Sequence, residues 1–529
     1  MTQPAPATAS NRFLGWIERT GNRLPDPVFI FFYLTLGLIA VSVLCDVFDL
    51  SAVHPTQLDA AGNPRVEHAV SLLSAGNIQR LWVEMPQTFT HFHPLGYVLV
   101  VMLGAGVAER SGLFSSAIRA ALGNAPTHLL TPFVALIAML SNHAADAGYV
   151  VVIPLAAIIF AAAGRNPLLG IAVGFAGVSG GFSANFAPGQ LDALLFGITE
   201  AAYVAGGIEA GWSMNIAGNW WFITALLMVY LPVIWFVTDK IIEPRLGPWR
   251  AANQADVDSY QNTDTSLTAA QRRGLRHAGW AILAVAFAWA LMVFGPGTPL
   301  LDDGPGMQDA AWYSVASPFF KSLVGAFLVL FLLAGWSYGR AAGTIRSSQD
   351  LVDMMSDAMK DMGYYLVLAF FAAHFVAMFG WSNLGLITAV HGADAIRASS
   401  LPLPVVLGLI VLFSAALNLF VGSASAKWAL LAPVLVPMLM LLGVSPDGAT
   451  AAYRVGDSAT NIVTPLMVYF PLVLVFAQRW QKEFGLGSLT AMMIPYSLWM
   501  LGVGTALIML WLFLGLPLGP GAPAEITIP

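Results

Sequence analysis

Arg454, Asp457 and Asn461 follow one another at intervals of three and four residues, in a stretch that is otherwise of membrane character. That spacing stacks side chains on one face of a helix, and Gly456 removes bulk beside them. A guanidinium presents a planar fork of donors that matches a carboxylate. Arg454 therefore either pairs internally with Asp457 as a structural salt bridge or is free to hold an anionic substrate. Asp457, and Asp192 in a second apolar stretch, are suited either to bind Na+ or to carry a proton. Ser423, Ser425, Asn461 and Thr464 offer neutral oxygens of the kind a hard cation accepts. Trp428 is either a stacking wall for an aromatic ring or packing, and Lys427 has a stem long enough to snorkel to an interface. Charges at the centre of a bilayer cost ~2.5–3.5 kcal/mol each on insertion scales. A membrane segment that carries them is expected to line a cavity or to pack against protein.

These residues belong to a segment from Asn418 to Phe470 in which apolar runs are broken by small polar residues and prolines. A fainter counterpart lies near Ser141–Leu195. SNHAADAGYVVVIP ends in Pro154 and GSASAKWALLAPVLVP ends in Pro437. Each is followed by a turn containing proline, at Arg165–Pro167 and Val444–Pro446. Each then reaches a polar break, at Ser183–Pro188 (with Asn185) and Ala459–Pro465. Paired interrupted segments in two halves of a membrane protein point to a transport site built from an internal repeat. The cause lies in the backbone. A broken helix frees N–H and C=O groups, which hydrocarbon cannot satisfy but an ion or a carboxylate can. Small residues that merely let helices pack closely are the alternative. Asp146 and His143, at the head of the first segment, suit either a proton relay or a polar contact.

The elements needed to hold such a site follow from composition. The chain has 529 residues, 57% hydrophobic and 10% charged, with a mean hydropathy of +0.73. Soluble domains carry roughly 25% charged residues, so this is a polytopic membrane protein. Apolar runs near the helix-spanning length recur, and the alternating strands of a barrel do not. Cys45 is the single cysteine, so neither a disulfide nor a cysteine-rich metal site is expected, and nothing suggests nucleic-acid binding.

Residues 1–10 read as disordered and Asn11–Arg23 as an interfacial helix. Three arginines before the first span, Pro27–Val47, place the N-terminus in the cytoplasm. The organisation expected is a segment 1–24, a first membrane half 25–237 with a hairpin near 141–192, and a cytoplasmic loop 238–277. A second half 278–516 with a hairpin near 420–465 follows, then an external tail 517–529. Asp49–Pro94 reads as a long external loop with His54, His68, His91 and His93. His91 and His93 lack a carboxylate or cysteine nearby in sequence, so a metal site there is not expected.

GSASAKWALLAPVLVPM, AYRVGDSATNIVTP, VTDKIIEPRLG at 237–247 and FGWSNLG at 379–385 together resemble the AbgT family of p-aminobenzoyl-glutamate transporters, over nearly the whole chain. The resemblance implies an all-α fold of about nine transmembrane helices and two re-entrant helical hairpins in an inverted-repeat arrangement, assembled as a homodimer in a bacterial inner membrane. It implies transport of p-aminobenzoyl-glutamate, or export of sulfonamide antimetabolites. It assigns transport roles to Asp192, Ser425, Trp428, Pro446, Arg454, Asp457 and Pro465, with Asn185, Ser423, Asn461, Thr464 and Asn383 as secondary candidates. Together these readings point to an ion-coupled carrier of a small anionic substrate without a cofactor. Its coupling ion is Na+ or H+, with any Na+ near Asp192, Asp457 and Asn461. A transporter of another small carboxylate, a channel and an intramembrane aspartyl protease are the competing classes. Arg454 stands where such a protease wants a second glycine. No H-E-x-x-H ligand set and no phosphate-binding G-x-x-x-x-G-K-[ST] loop occurs.

Overall fold

The computed structural model describes residues 26–123, 126, 129–144, 148–208, 210–212, 215–247, 267–302, 304, 307, 310–464 and 466–528. The interfacial helix expected at Asn11–Arg23, the middle of the expected cytoplasmic loop (248–266), Asp146 and Pro465 lie outside them. The chain is 75% helical, with two short strands among the described residues. Among the described residues, eight helices are long and apolar enough to cross a membrane, and five shorter apolar helices accompany them.

Several spans run beyond their apolar stretch because the chain caps them in water. Ala269–Phe294 begins well before the expected Ala278, where the Thr268 hydroxyl and the Gln271 side chain cap each other's backbone N–H groups. The expected external loop is also more ordered than its polarity implied. It folds as an antiparallel pair, Ser51–Leu58 with Pro64–His68, and a helix, Ala75–Thr90. Asn383 belongs to this region: its Nδ2 donates to the His68 carbonyl at 2.9 Å. Its expected place near the transport site is thereby corrected.

The two halves repeat one pattern. In the first, Leu130–His143 and Gly148–Ala162 precede a turn at Arg165. Arg165 Nη1 donates to Thr131 Oγ1 at 2.7 Å, so the start of the first helix and the end of the second lie together. The pair is a hairpin. Pro167–Gly180 follows, breaks at 181–189, and resumes as Gln190–Gly206. In the second half, Leu403–Asn418 and Ala424–Leu441 form the hairpin, with Arg397 just before the first helix bonded to the Leu441 carbonyl at the end of the second. Pro446–Thr460 and Phe470–Trp480 are the broken helix. Each hairpin thus starts one helix earlier than expected. The segments near 141–192 and 420–465 combine a returning hairpin arm with half of a broken helix.

Glycines set the distance between these pieces. A Cβ on Gly177 would lie 2.5 Å from Ala138 Cβ, and one on Gly456 would lie 2.2 Å from the Val411 carbonyl oxygen. In both repeats the broken helix therefore touches the incoming hairpin helix through a glycine, the small-residue contact by which membrane helices approach closely.

The repeats are inverted. Trp220–Leu246 serves as a ruler between their turns. Near its start, Phe222 N donates to the Leu518 carbonyl of the tail at 3.0 Å, and that tail also covers the second turn, where Ser445 N donates to Ala524 O at 2.9 Å. Near its other end, Asp239 and Glu243 each hold Arg165 of the first turn at 2.7 Å. At about 1.5 Å per residue, Phe222 and Asp239 lie roughly 25 Å apart. The two turns therefore sit at opposite faces of the molecule.

Arg165 is the pin of the first turn, and its removal leaves two carboxylates facing each other. Arg165→Met is expected to lower stability by about 1–3 kcal/mol, less than for a fully buried pair because the group is partly solvated. Arg165→Lys is expected to restore only part, lacking the fork that spans two carboxylates. Thermal unfolding of the detergent-solubilised protein reads both, and an unchanged midpoint in Arg165→Met would remove the pin.

Candidate functional site

Pro446–Thr460 carries polar side chains on one face: Asp447, Thr450, Arg454 and Asp457, continued by Asn461 at the next turn. Their spacing of three, four, three and four keeps them in register for a helix. Every one of the five meets a partner from another element. Trp212 Nε1 donates to Asp447 Oδ2 at 2.7 Å. The hydroxyls of Thr450 and Thr199 lie 2.8 Å apart. Arg454 Nη1 donates to Asp192 Oδ1 at 2.8 Å. Lys427 Nζ forms an ion pair with Asp457. Asn418 Nδ2 donates to Asn461 Oδ1 at 2.9 Å.

Two of these partnerships correct the reading from sequence. Arg454 does not pair with Asp457 three residues on. It reaches across to Asp192 in the other repeat, on Gln190–Gly206. Lys427 does not snorkel: it is 1% exposed and bonds to Asn418 Oδ1 as well as Asp457. Along a helix, residues three apart are only neighbours. A buried guanidinium needs a carboxylate aimed at it, and the break at 181–189 delivers Asp192 for that purpose. The Asp192 carboxylate also accepts the Gly189 N–H at 2.8 Å at the helix N-terminus, where the helix dipole favours a negative charge.

The groups expected around a Na+ position, Asp192, Asp457 and Asn461, are held by other side chains. In this conformation each carboxylate already has a basic side chain, and the Asn461 carbonyl oxygen has an amide donor. Among the described residues no group of three or more His, Cys, Asp or Glu side chains is arranged to hold a metal.

Trp428 is 0% exposed, lies 4.6 Å from the Tyr453 ring in a stack, and donates Nε1 to Thr199 Oγ1 at 2.9 Å. It packs the junction of the repeats, and in this conformation presents no open face to a ligand. Ser423 caps its helix by accepting Ala426 N–H at 3.3 Å, and its hydroxyl lies 3.3 Å from that of Ser425. Thr464 donates to the Thr460 carbonyl at 2.8 Å. Pro446 opens its helix, and its carbonyl accepts Thr450 Oγ1 at 2.9 Å. His143 Nε2 lies 3.1 Å from the Ala187 carbonyl, tying the first hairpin to the broken helix. The carboxylate that His93 lacks in sequence is supplied in space: Glu200 Oε2 lies 3.0 Å from its Nδ1.

A cavity of about 420 Å³ reaches both breaks. Phe182, Gln190 and Leu191 line it from the first repeat, and Gly422 and Met467 from the second. Tyr149 and Tyr469, one from each repeat, are also on its wall and stack with centroids 4.1 Å apart. Gln190 Nε2 and the Tyr365 hydroxyl are buried there without a hydrogen-bond partner. At the mouth, Arg110 pairs with Asp361. Arg454 and Trp428 are not on this wall.

Reading from sequence missed Asp447, Thr450, Thr199 and Asn418. The first two were legible as the same three-and-four spacing extended two turns back from Arg454.

The Lys427–Asp457 pair makes a sharp prediction. Lys427→Met leaves a buried carboxylate without its cation and is expected to cost about 3–5 kcal/mol. Lys427→Met combined with Asp457→Leu removes both charges and is expected to recover most of that loss. The check is a double-mutant cycle on thermal unfolding, and simply additive costs would show that the two charges do not depend on each other.

The geometry can now be set beside known proteins. The profile described as the AbgT putative transporter family matches residues 12–526. The chain is 36% identical over 523 residues to the p-aminobenzoyl-glutamate transport protein of Escherichia coli K12, covering 98% of each. It is similar to the crystal structure of the Alcanivorax borkumensis YdaH transporter, at 40% identity and a TM-score of 0.85, over 94% of this chain and all of that one. It is also similar to Neisseria gonorrhoeae MtrF, described as illuminating a class of antimetabolite efflux pumps, at 40% identity and a TM-score of 0.87, over 97% of this chain and all of that one. With its inverted hairpins and crossed ion pairs, the chain belongs to the AbgT transporter family.

Proposed function

We propose that this protein is an ion-coupled secondary transporter of a bacterial inner membrane that moves p-aminobenzoyl-glutamate, related folate catabolites or sulfonamide antimetabolites. The observation that carries the reading is the cavity of about 420 Å³ touching the breaks of both repeats. Ligand sites commonly occupy ~300–1,000 Å³ and combine apolar walls with a few polar groups. This one offers a stacked pair of tyrosines against which an aromatic ring can pack. The unpartnered Gln190 amide and Tyr365 hydroxyl suit an amide or carboxylate. The substrate names come from the similar proteins of Escherichia coli and Neisseria gonorrhoeae.

In this reading the ion pairs are the moving parts. A coupling cation, Na+ or H+, displaces a basic side chain from Asp192 or Asp457, and the released Arg454 then attracts the substrate carboxylate. Trp428, Ser425, Pro446 and Pro465 hold the junction over which one repeat moves against the other. The end bearing Arg110, Arg165 and Arg245 faces the cytoplasm by the positive-inside rule, and the tail faces outward. Ala269–Phe294, Pro27–Val47 and Ser317–Ala342 are the least buried candidate spans, with 11%, 17% and 22% of their most apolar stretches buried. Lipid and a second copy of the chain would cover them, which supports a homodimer.

The test is uptake of labelled p-aminobenzoyl-glutamate into proteoliposomes, with Na+ and pH gradients imposed separately. One gradient is expected to drive accumulation, and flux indifferent to both would overturn the coupled reading. Asp457→Asn and Arg454→Ala are expected to abolish flux in a folded protein. Leu191→Trp, on the cavity wall, is expected to block substrate binding with little change in thermal stability. Wild-type binding in Leu191→Trp would move the substrate elsewhere.

A further inference from the structure

Asp447 is a buried carboxylate without a basic partner among the described residues. It is 4% exposed, and its named side-chain donor is the neutral indole of Trp212. It lines a small chamber beneath the tail, together with Asn215, Asn219, Thr199, Thr450 and the Arg454–Asp192 pair. The tail closes this chamber: Asn215 Nδ2 donates to the Pro520 carbonyl at 3.0 Å. With a volume of about 10 Å³ it has room for a single water.

Around Asp447 the chamber lacks a donor for one acceptor, while the Arg454 Nε, on the same lining, is a donor without a partner. Asn219 is 7% exposed, and its Oδ1 has no partner. Its orientation is set by the other end of the amide, since Nδ2 donates to the Asp447 carbonyl at 3.3 Å. Flipping it would set two carbonyl oxygens against each other. An ionised Asp447 adds further acceptors to this surplus and leaves one negative charge uncompensated, because Asp192 and Arg454 neutralise each other. A protonated Asp447 supplies the missing donor, to Asn219 directly or through one water, and removes the charge. Other charged groups do not intervene. Glu200, on the helix that carries Asp192, is held by His93 and Tyr97, and Glu525 of the tail is exposed. The hydroxyls of Thr199 and Thr450 are tied to each other and to the Leu195 and Pro446 carbonyls.

We infer that Asp447 is a proton-binding site on the tail side of the polar face, from which a proton passes through the chamber to Asp192. The proton arrives from water on the tail side and forms the O–H bond of the Asp447 carboxyl. On transfer that bond breaks and one forms on Asp192, leaving Asp447 ionised. Arg454 then keeps its charge without its carboxylate. The coupling role rests on the transporter reading above, while protonation of Asp447 does not.

Infrared pH titration of the purified protein tests the site without transport. Wild type is expected to show a protonated-carboxyl stretch that Asp447→Asn lacks. Asn219→Ala removes the acceptor of the neutral form, so the band is expected to vanish at lower pH than in wild type. An identical band in Asp447→Asn overturns the inference. In proteoliposomes, an imposed pH gradient is expected to raise wild-type uptake, whereas in Asp447→Asn uptake with and without the gradient becomes equal. A gradient response as large as wild type in Asp447→Asn overturns the transfer to Asp192. Wild type that moves no p-aminobenzoyl-glutamate under any gradient overturns the function proposed above and leaves the infrared result standing.

Discussion

The ion pair between Arg454 and Asp192 is the interaction on which the architecture turns. A guanidinium 2% exposed to solvent stays charged, and without a carboxylate aimed at it the cost of its lost hydration is unmet. Here that carboxylate comes from the opposite repeat. Satisfying one charge therefore joins the two halves, at the point where the first broken helix resumes. The Lys427–Asp457 pair repeats the device within the second half, joining a hairpin arm to a broken helix.

Much of this was legible in the sequence, and the failures share a physical origin. The membrane class, most spans, both breaks and the polar face around Arg454 follow from hydropathy and helical spacing. What failed was pairing. Arg454 and Asp457 are close in sequence, but a helix only makes them neighbours, and the depth of each determines its partner. Asp192 and Lys427 come from other helices, Gln190–Gly206 and Ala424–Leu441, and no local pattern encodes their approach. The hairpin boundaries slipped for a related reason. The turns at Arg165 and Ser445 carry stronger proline and glycine signals than the true tips, so they were taken as the centre of each unit. The ordered region between the first two spans was missed because a short amphipathic helix and a strand pair have the composition of a loop. Glu200, which completes the contact of His93, lies more than a hundred residues away in the chain.

The structure also separates two tasks that the sequence had merged. The stretch from Ser423 to Thr464 reads as one binding site, yet Trp428, Arg454 and Asp457 are enclosed, and the open volume lies beside them at Gly422, Met467 and Gln190. Charge is managed inside the repeats, and space is provided at their margin. A small shift of either broken helix would change both.

The tail that covers the Gly443–Ser445 turn has a consequence for how the molecule is made. Ala524 and the residues around it bond to the second turn, and Leu518 bonds to Phe222 in the first half. These contacts draw on residues that leave the ribosome after the helices they clasp. Until then the second hairpin lacks its outer clasp, and the chamber beneath has no roof. The two halves can insert in order as they are synthesised, but their relative placement is settled last, by a strip of chain that crosses no membrane.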